Sequence, residues 1–305
     1  MPLVALALLV LLAPAEAGRK KKKKRAAPAP VEEPVPAGSV VLPCPYAPDR
    51  SFTWDMRSTG SNPATGTVTF TGREGPSGTV HVRIETTVER PAHLSSSVVD
   101  EALARLPTES APIVSFEPAT RALTVVNLPA VQAAIQPALE AVLAERYADA
   151  DPTRLAYTRQ LARDPGMLGS AVLQGKAVLL LHTCAEAPVD QKLEQAIYMP
   201  APVGDAPLDA LSTYLVRVEG DRVVIEASEA SLPGAMGVLV DGMVARDLLD
   251  AELADDLRNF QMASSARTEV TLADGVVRTS TSTMTLTGAE VGDSDDTRIF
   301  TLRAD

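Results

Sequence analysis

The sequence predicts an α+β fold in which antiparallel, curved sheets pack on helices. Three observations predict it. Apolar and polar residues alternate at period 2 in residues 52–88 and again in 214–287, as in strands with one wet face. Stripes at helical spacing fill the stretch between them. Clusters rich in Gly, Pro and Asp separate the runs. The expected globule is residues 39–305, with halves at 39–128 and 205–305 on either side of a helical segment at 129–175.

Phe52, Trp54 and Met56 alternate with Thr53, Asp55 and Arg57, so the first strand turns Trp54 inward. Val68 and Phe70 alternate within 67–71. Val80, Val82, Ile84 and Val88 share a face, leaving His81, Arg83 and Glu85 on the other. The segment 72–78 (GREGPSG) turns the chain between these two strands. A helix follows, with Ser97 as N-cap and Asp100 three residues on, Asp replacing Glu or Gln of the capping box. Val99, Ala102, Leu103 and Leu106 form its stripe, and Pro107 stops it. Residues 113–116 and 122–126 then make a hairpin around Glu117, Pro118, Ala119 and Thr120.

After Asn127, the apolar stripe Val131, Ile135, Leu139, Val142 and Leu143 marks a helix that Pro137 is expected to kink or restart. Asp151 and Pro152 open the next helix as N-cap and N1, with Leu155, Thr158 and Leu161 inward. Residues 165–173 form a third. The run 176–184 (KAVLLLHTC) is continuously apolar, which fits a strand buried on both faces. Beyond a loop rich in Pro and Ala, Tyr214, Val216 and Val218 and then Val223, Ile225 and Ala227 flank a turn at Glu219, Gly220 and Asp221. A helix is expected over roughly 242–262. Residues 268–272 and 276–287 flank Ala273-Asp274-Gly275, a hairpin signal. A polar loop at 288–296 leads to a last strand at 298–302. The order strand, strand, helix, strand, strand recurs in 66–126 and 210–287, as a duplicated β-β-α-β-β unit would produce.

Residues 1–17 (MPLVALALLVLLAPAEA) have the shape of a signal peptide, an apolar run ending in Ala15-Glu16-Ala17. A membrane-spanning helix needs ~20 apolar residues, and Pro14 and Glu16 cut this run short, so no transmembrane span is expected after cleavage. The first cysteine is Cys44, so no lipid-modified N-terminal cysteine is expected either. The basic cluster Arg19, Lys20, Lys21, Lys22, Lys23, Lys24 and Arg25 follows the apolar run rather than preceding it, against the usual flanking bias. Residues 26–38 (AAPAPVEEPVPAG) form a semi-rigid, Pro-rich spacer. The net charge is −11. Residues 1–38 hold seven basic and three acidic residues, which leaves 21 basic against 36 acidic residues, −15, on the globule. An acidic globule thus trails a basic arm. The arm suits either a solvated tail or contact with an anionic envelope surface. The acidic globule, with 4% aromatic residues, is not expected to bind nucleic acid. Cys44 and Cys184 suit an exported protein with one disulfide, joining the start of the globule to its middle.

No catalytic, cofactor or metal constellation stands out, and none is expected. The three histidines, His81, His93 and His182, are scattered, and a zinc site needs three or four ligands. Ser170 lies in Leu168-Gly169-Ser170-Ala171-Val172, which lacks the first glycine of G-x-S-x-G. Gly166-Met167-Leu168-Gly169 lacks the Gly-Lys-Ser/Thr of a phosphate loop. Asp149 with Asp151 suits helix capping, and Asp293, Asp295 and Asp296 suit a polar turn without the Glu that a calcium loop requires. The expectation is an exported, non-enzymatic protein of a periplasm or extracellular space, holding an apolar or lipid-like ligand inside its curved sheet. Two alternatives remain: a structural protein anchored to an anionic surface by its basic arm, and a hydrolase with an unrecognised site.

Overall fold

A computed structural model describes residues 38–304 apart from 61–62, 77, 91–94, 149–151, 174, 200–207, 233, 246–253, 255–257, 259–260 and 288–293. The signal segment, basic arm, Pro-rich spacer, His93, Asp149, Asp151 and Asp293 lie outside the described residues.

The first half builds outward from one hairpin series: β2 (Ser51–Gly60), β3 (Ala64–Arg73) and β4 (Val80–Arg90), then β5 (Ile113–Glu117) and β6 (Ala122–Val125). Helix α1 (Ser95–Ala104) connects β4 to β5. Three more helices, α2 (Leu128–Arg146), α3 (Pro152–Arg163) and α4 (Pro165–Leu173), pack with α1 over this half. A one-turn helix, α5 (Val178–Leu181), returns the chain towards the second half. That half comprises β8 (Lys192–Met199), β9 (Leu208–Glu219), β10 (Arg222–Ser231), β11 (Gln261–Thr271), β12 (Val277–Thr287) and β13 (Ser294–Leu302), with α6 (Ala235–Val244) after β10. A separate ribbon pairs β1 (Ser39–Leu42) with β7 (Ala185–Pro188).

Both halves belong to one eleven-stranded sheet of order β6-β5-β4-β3-β2-β13-β12-β11-β10-β9-β8, antiparallel throughout and not closed. The join is the β2–β13 ladder, which sets Trp54 beside Leu302 and Met56 beside Phe300. Alternation puts Trp54, Val68, Phe70, Val82, Val114 and Phe116 on the helix side, where all are fully buried. The opposite face is rich in β-branched threonine, well suited to a pleated surface. Its hydroxyls pair across strands, Thr53 with Thr69 at 2.9 Å and Thr283 with Thr297 at 2.9 Å.

One end of the sheet is crossed by the extended segment 43–47. Its backbone runs so close to the end of β3 and to the β11–β12 turn that a Cβ on Gly72 would stand 2.0 Å from Ala47 O, and one on Gly275 2.0 Å from Pro43 O. Only glycine admits such an approach. Cys44 within this segment bonds to Cys184, across a sequence separation of 140. The Tyr46 hydroxyl donates to Leu179 O at 2.6 Å.

Several expectations need correction. The run 176–184 is not a strand: residues 175–177 turn, and Val178–Leu181 is helical, with Leu179 and Leu180 completely buried. A short helix enclosed on every side is apolar all round, so it carries the same pattern as a buried strand. The first helix begins at Ser95, so Ser97 lies inside it. Helix α2 has no fresh start at Pro137, which lies within it. Helix α6 starts at Ala235, before the helix expected at 242–262, and Gln261 is already in a strand; within the expected span Ala254 and Arg258 are helical, and most of 246–260 lies outside the described residues. Ser294, Asp295 and Asp296 belong to β13 rather than to a loop. Strands β1, β7 and β8 were not expected.

Reduction of Cys44–Cys184 removes a cross-link that chain-entropy estimates value at ~4–5 kcal/mol for a loop of this length. Calorimetry of the reduced protein should show a melting temperature lower by roughly 10 °C. An unchanged value would mean that Tyr46 and the β1–β7 ribbon hold the segment unaided.

Candidate functional site

The helix-side face of the sheet is filled in one half and half-open in the other. On β9–β13 the deepest row, Val216, Ile225, Thr268, Ser280 and Phe300, is buried. Its two hydroxyls satisfy each other, Thr268 with Ser280 at 2.9 Å. The register places the next row at Tyr214, Ala227, Ala266, Ser282 and Arg298, followed by Ser212, Glu229, Ser264 and Met284. Every residue in these two rows is only partly buried. More than half of these side chains are Ala or Ser, so between the buried row and α6 the face is a half-covered strip, a trough lined mainly by small side chains. Helix α6 packs on β9 beside it, where Ala210, Met236 and Val240 are buried.

Polar groups punctuate the trough. Burial pushes the Glu229 carboxyl above the usual carboxylate range, and a hydrogen bond from Ser264 pulls it part of the way back. The Arg298 side chain lies over the turn before α5, with Nη1 2.9 Å from where a Cβ on Gly175 would stand.

The floor is built by residues distant in sequence. His182 follows α5 and stacks on Tyr214, with ring centroids 5.9 Å apart and planes at 29°. Arg121, from the β5–β6 turn, donates from Nη1 to Leu181 O at 2.9 Å and also hydrogen-bonds Tyr214. His182 is buried, and its Nδ1 has no hydrogen-bond partner. Burial first, and the Arg121 charge second, lower its pKa to about 3. Burial raises the Tyr214 phenol, against the opposing pull of the Arg121 cation.

Beside the floor, Lys176 Nζ donates to Asp100 Oδ1 at 2.7 Å, with the lysine side chain only 1% exposed. Asp100 therefore ties α1 to the α4–α5 turn instead of capping its own helix. Glu101 beside it is buried, bonded to Arg146 at 2.7 Å, and raised in pKa chiefly by desolvation.

Of the residues singled out from sequence, Cys44 and Cys184 meet as the disulfide. His81 lies on the outer face of β4 and His182 on the inner side of the sheet, so the two do not converge. Ser170 sits partly buried within α4. Tyr198 is on β8 at the sheet edge. Among the described residues, no group of three or more His, Cys, Asp or Glu could hold a metal ion. An open hollow of about 290 Å³ lies mainly on the outer face of β9–β12, lined by Leu211, by small Ala, Ser and Thr side chains and by Glu229. Tyr214, Arg121 and Glu229 were not singled out from sequence as site residues. Comparison with known protein families finds no match, and comparison with curated proteins finds no relative.

Two measurements test this account. Lys176→Met alone strands the Asp100 carboxylate in the interior, a loss of ~3–5 kcal/mol in urea denaturation, whereas Lys176→Met with Asp100→Leu should recover most of it. If the single and double variants were equally unstable, the pair would not be the source of the loss. His182 is neutral when folded and takes up a proton near pH 6.5 when unfolded. Its contribution is complete above that pH and falls by ~1.4 kcal/mol per unit as pH drops towards 3. The stability gap between wild type and His182→Gln should shrink accordingly between pH 6 and 4. A constant gap would show that burial does not hold His182 neutral.

Proposed function

We propose that this is an exported, non-enzymatic protein that holds an apolar or lipid-like ligand in the trough of β9–β13. The observation that carries this reading is the unequal filling of one continuous sheet. Trp54, Phe70 and Phe116 are fully covered on β2–β5, while Tyr214, Ala227, Ala266 and Met284 on the same face of β9–β12 are only partly covered. Ligand sites are concave, mostly apolar, and set by a few polar groups. Ala227, Ala266, Met284 and the Tyr214 ring supply the first property, and Glu229, Arg298 and the floor cluster supply the second.

The order β3-β4-α1-β5-β6 recurs as β9-β10-α6-β11-β12, which supports a duplicated unit. On that view the first copy is filled by its own helices, and the second keeps room for a guest. The disulfide is compatible with export. Among the described residues, no helix is long and apolar enough to cross a membrane.

The test is native mass spectrometry of the protein purified without detergent. Extra mass that leaves on denaturation is the expected result. Ala266→Phe should abolish that mass by filling the trough, with the melting temperature within a few degrees of wild type. A bare chain mass, together with no uptake of long-chain amphiphiles, would sink the proposal.

A further inference from the structure

We propose that Arg121, His182 and Tyr214 form a subsite for the carboxylate head group of the trough's ligand, which is then a single-chain carboxylic acid. This rests on the trough being the ligand site. His182 is 8% exposed and its Nδ1 is without a partner. A buried polar atom left unpaired forfeits its hydration without replacement, so the position calls for a partner that the chain does not supply. Arg121 stands beside it, partly buried, and among the described residues no carboxylate pairs with it. One of its five donors serves Leu181 O and another serves Tyr214.

An uncountered guanidinium and an orphaned imidazole nitrogen, side by side, are complementary to one acceptor-only anion. A carboxylate has two oxygens, one for an Arg121 N–H and one for His182. The neutral imidazole meets it as the tautomer with its proton on Nδ1, so the imidazole takes up no charge and Arg121 alone counters the carboxylate. A phosphate monoester carries close to two negative charges at neutral pH, and the single Arg121 cation beside a neutral imidazole would leave the second uncountered. The cluster lies at the base of the trough because His182 stacks directly on Tyr214, whose row continues as Ala227, Ala266 and Ser282. An acyl chain running along that row from the head group would cover small, half-buried side chains.

The experiment compares decanoate, decanol, decyl phosphate and acetate on the whole protein by calorimetry, with the side-chain nitrogens of the three histidines followed by NMR. Decanoate should bind at least ten-fold tighter than decanol and decyl phosphate and shift the His182 Nδ1 resonance. Arg121→Gln should bring decanoate down to the decanol affinity while leaving decanol unchanged. Equal affinities in the wild type would overturn the head-group assignment and leave the trough intact. Tightest binding of decyl phosphate would also overturn it, in favour of a phosphate. If no ten-carbon probe binds, the trough fails as a ligand site, and acetate decides the cluster. An acetate-dependent shift of His182 that Arg121→Gln removes would keep the cluster as a carboxylate site, and its absence would end the assignment.

Discussion

The antiparallel ladder between β2 and β13 is the interaction on which the other features depend. It joins residues from opposite ends of the globule, pairing Trp54 with Leu302 and Ser58 with Arg298. Arg303 N donates to Thr53 O at 2.9 Å where the ladder ends. Without it the molecule would be two half-sheets, each with an exposed edge of ten or so residues, and such edges invite pairing with other chains. With it, one continuous antiparallel sheet runs from β6 to β8. The hydrophobic burial of the first half and the open space of the second then become parts of a single face.

The polar interior follows a consistent rule: groups that the local backbone cannot satisfy are satisfied from far away in sequence. Helix α5 is too short to satisfy its own final carbonyls. Leu179 O takes the Tyr46 hydroxyl, Leu181 O takes Arg121, and Leu180 O takes the Thr183 hydroxyl. The first two contacts span 133 and 60 residues. Lys176 finds Asp100 across 76. Each contact is modest alone, and the three distant ones form only when the segment 43–47, the β5–β6 turn and α1, respectively, are in place. This favours one arrangement over competing compact ones. Arg83 Nε and His182 Nδ1 break the rule, and of the two His182 Nδ1 lies beside the Arg121 cation, a place for something the chain does not contain.

What could be read from the sequence follows from how local each feature is. The period-2 runs at Phe52–Trp54–Met56 and Val80–Val82–Ile84 identified strands with their buried faces. Pro152 and Pro165 announced helix starts at positions the structure retains. The disulfide followed from there being only two cysteines in a chain with an export-like start. Other features had no local signal. The stretch KLEQAIYM of β8 sits at a sheet edge, exposed at 191–196 on both faces, so it shows no amphipathic period. Strands β1 and β7 have four residues each, too few to show one. Asp100 had the spacing of a cap, yet its partner lies 76 residues on. The site itself is the extreme case, because Arg121, His182 and Tyr214 come from a turn, a helix end and a strand that meet only in the folded chain. Its space arises from residues that are merely small, and a serine or alanine in a strand carries no mark of what it leaves empty.

The β2–β13 join also contains the only tryptophan of the chain. Trp54 is completely buried, and its indole N–H donates to Val277 O at 2.8 Å, reaching past β13 to β12. Phe70 packs against its ring at a centroid distance of 5.4 Å. One chromophore thus touches both halves and senses water only when they separate. Its emission colour is therefore a built-in gauge of whether the two ends of the globule have found each other, independent of how much helix or strand each half has formed alone.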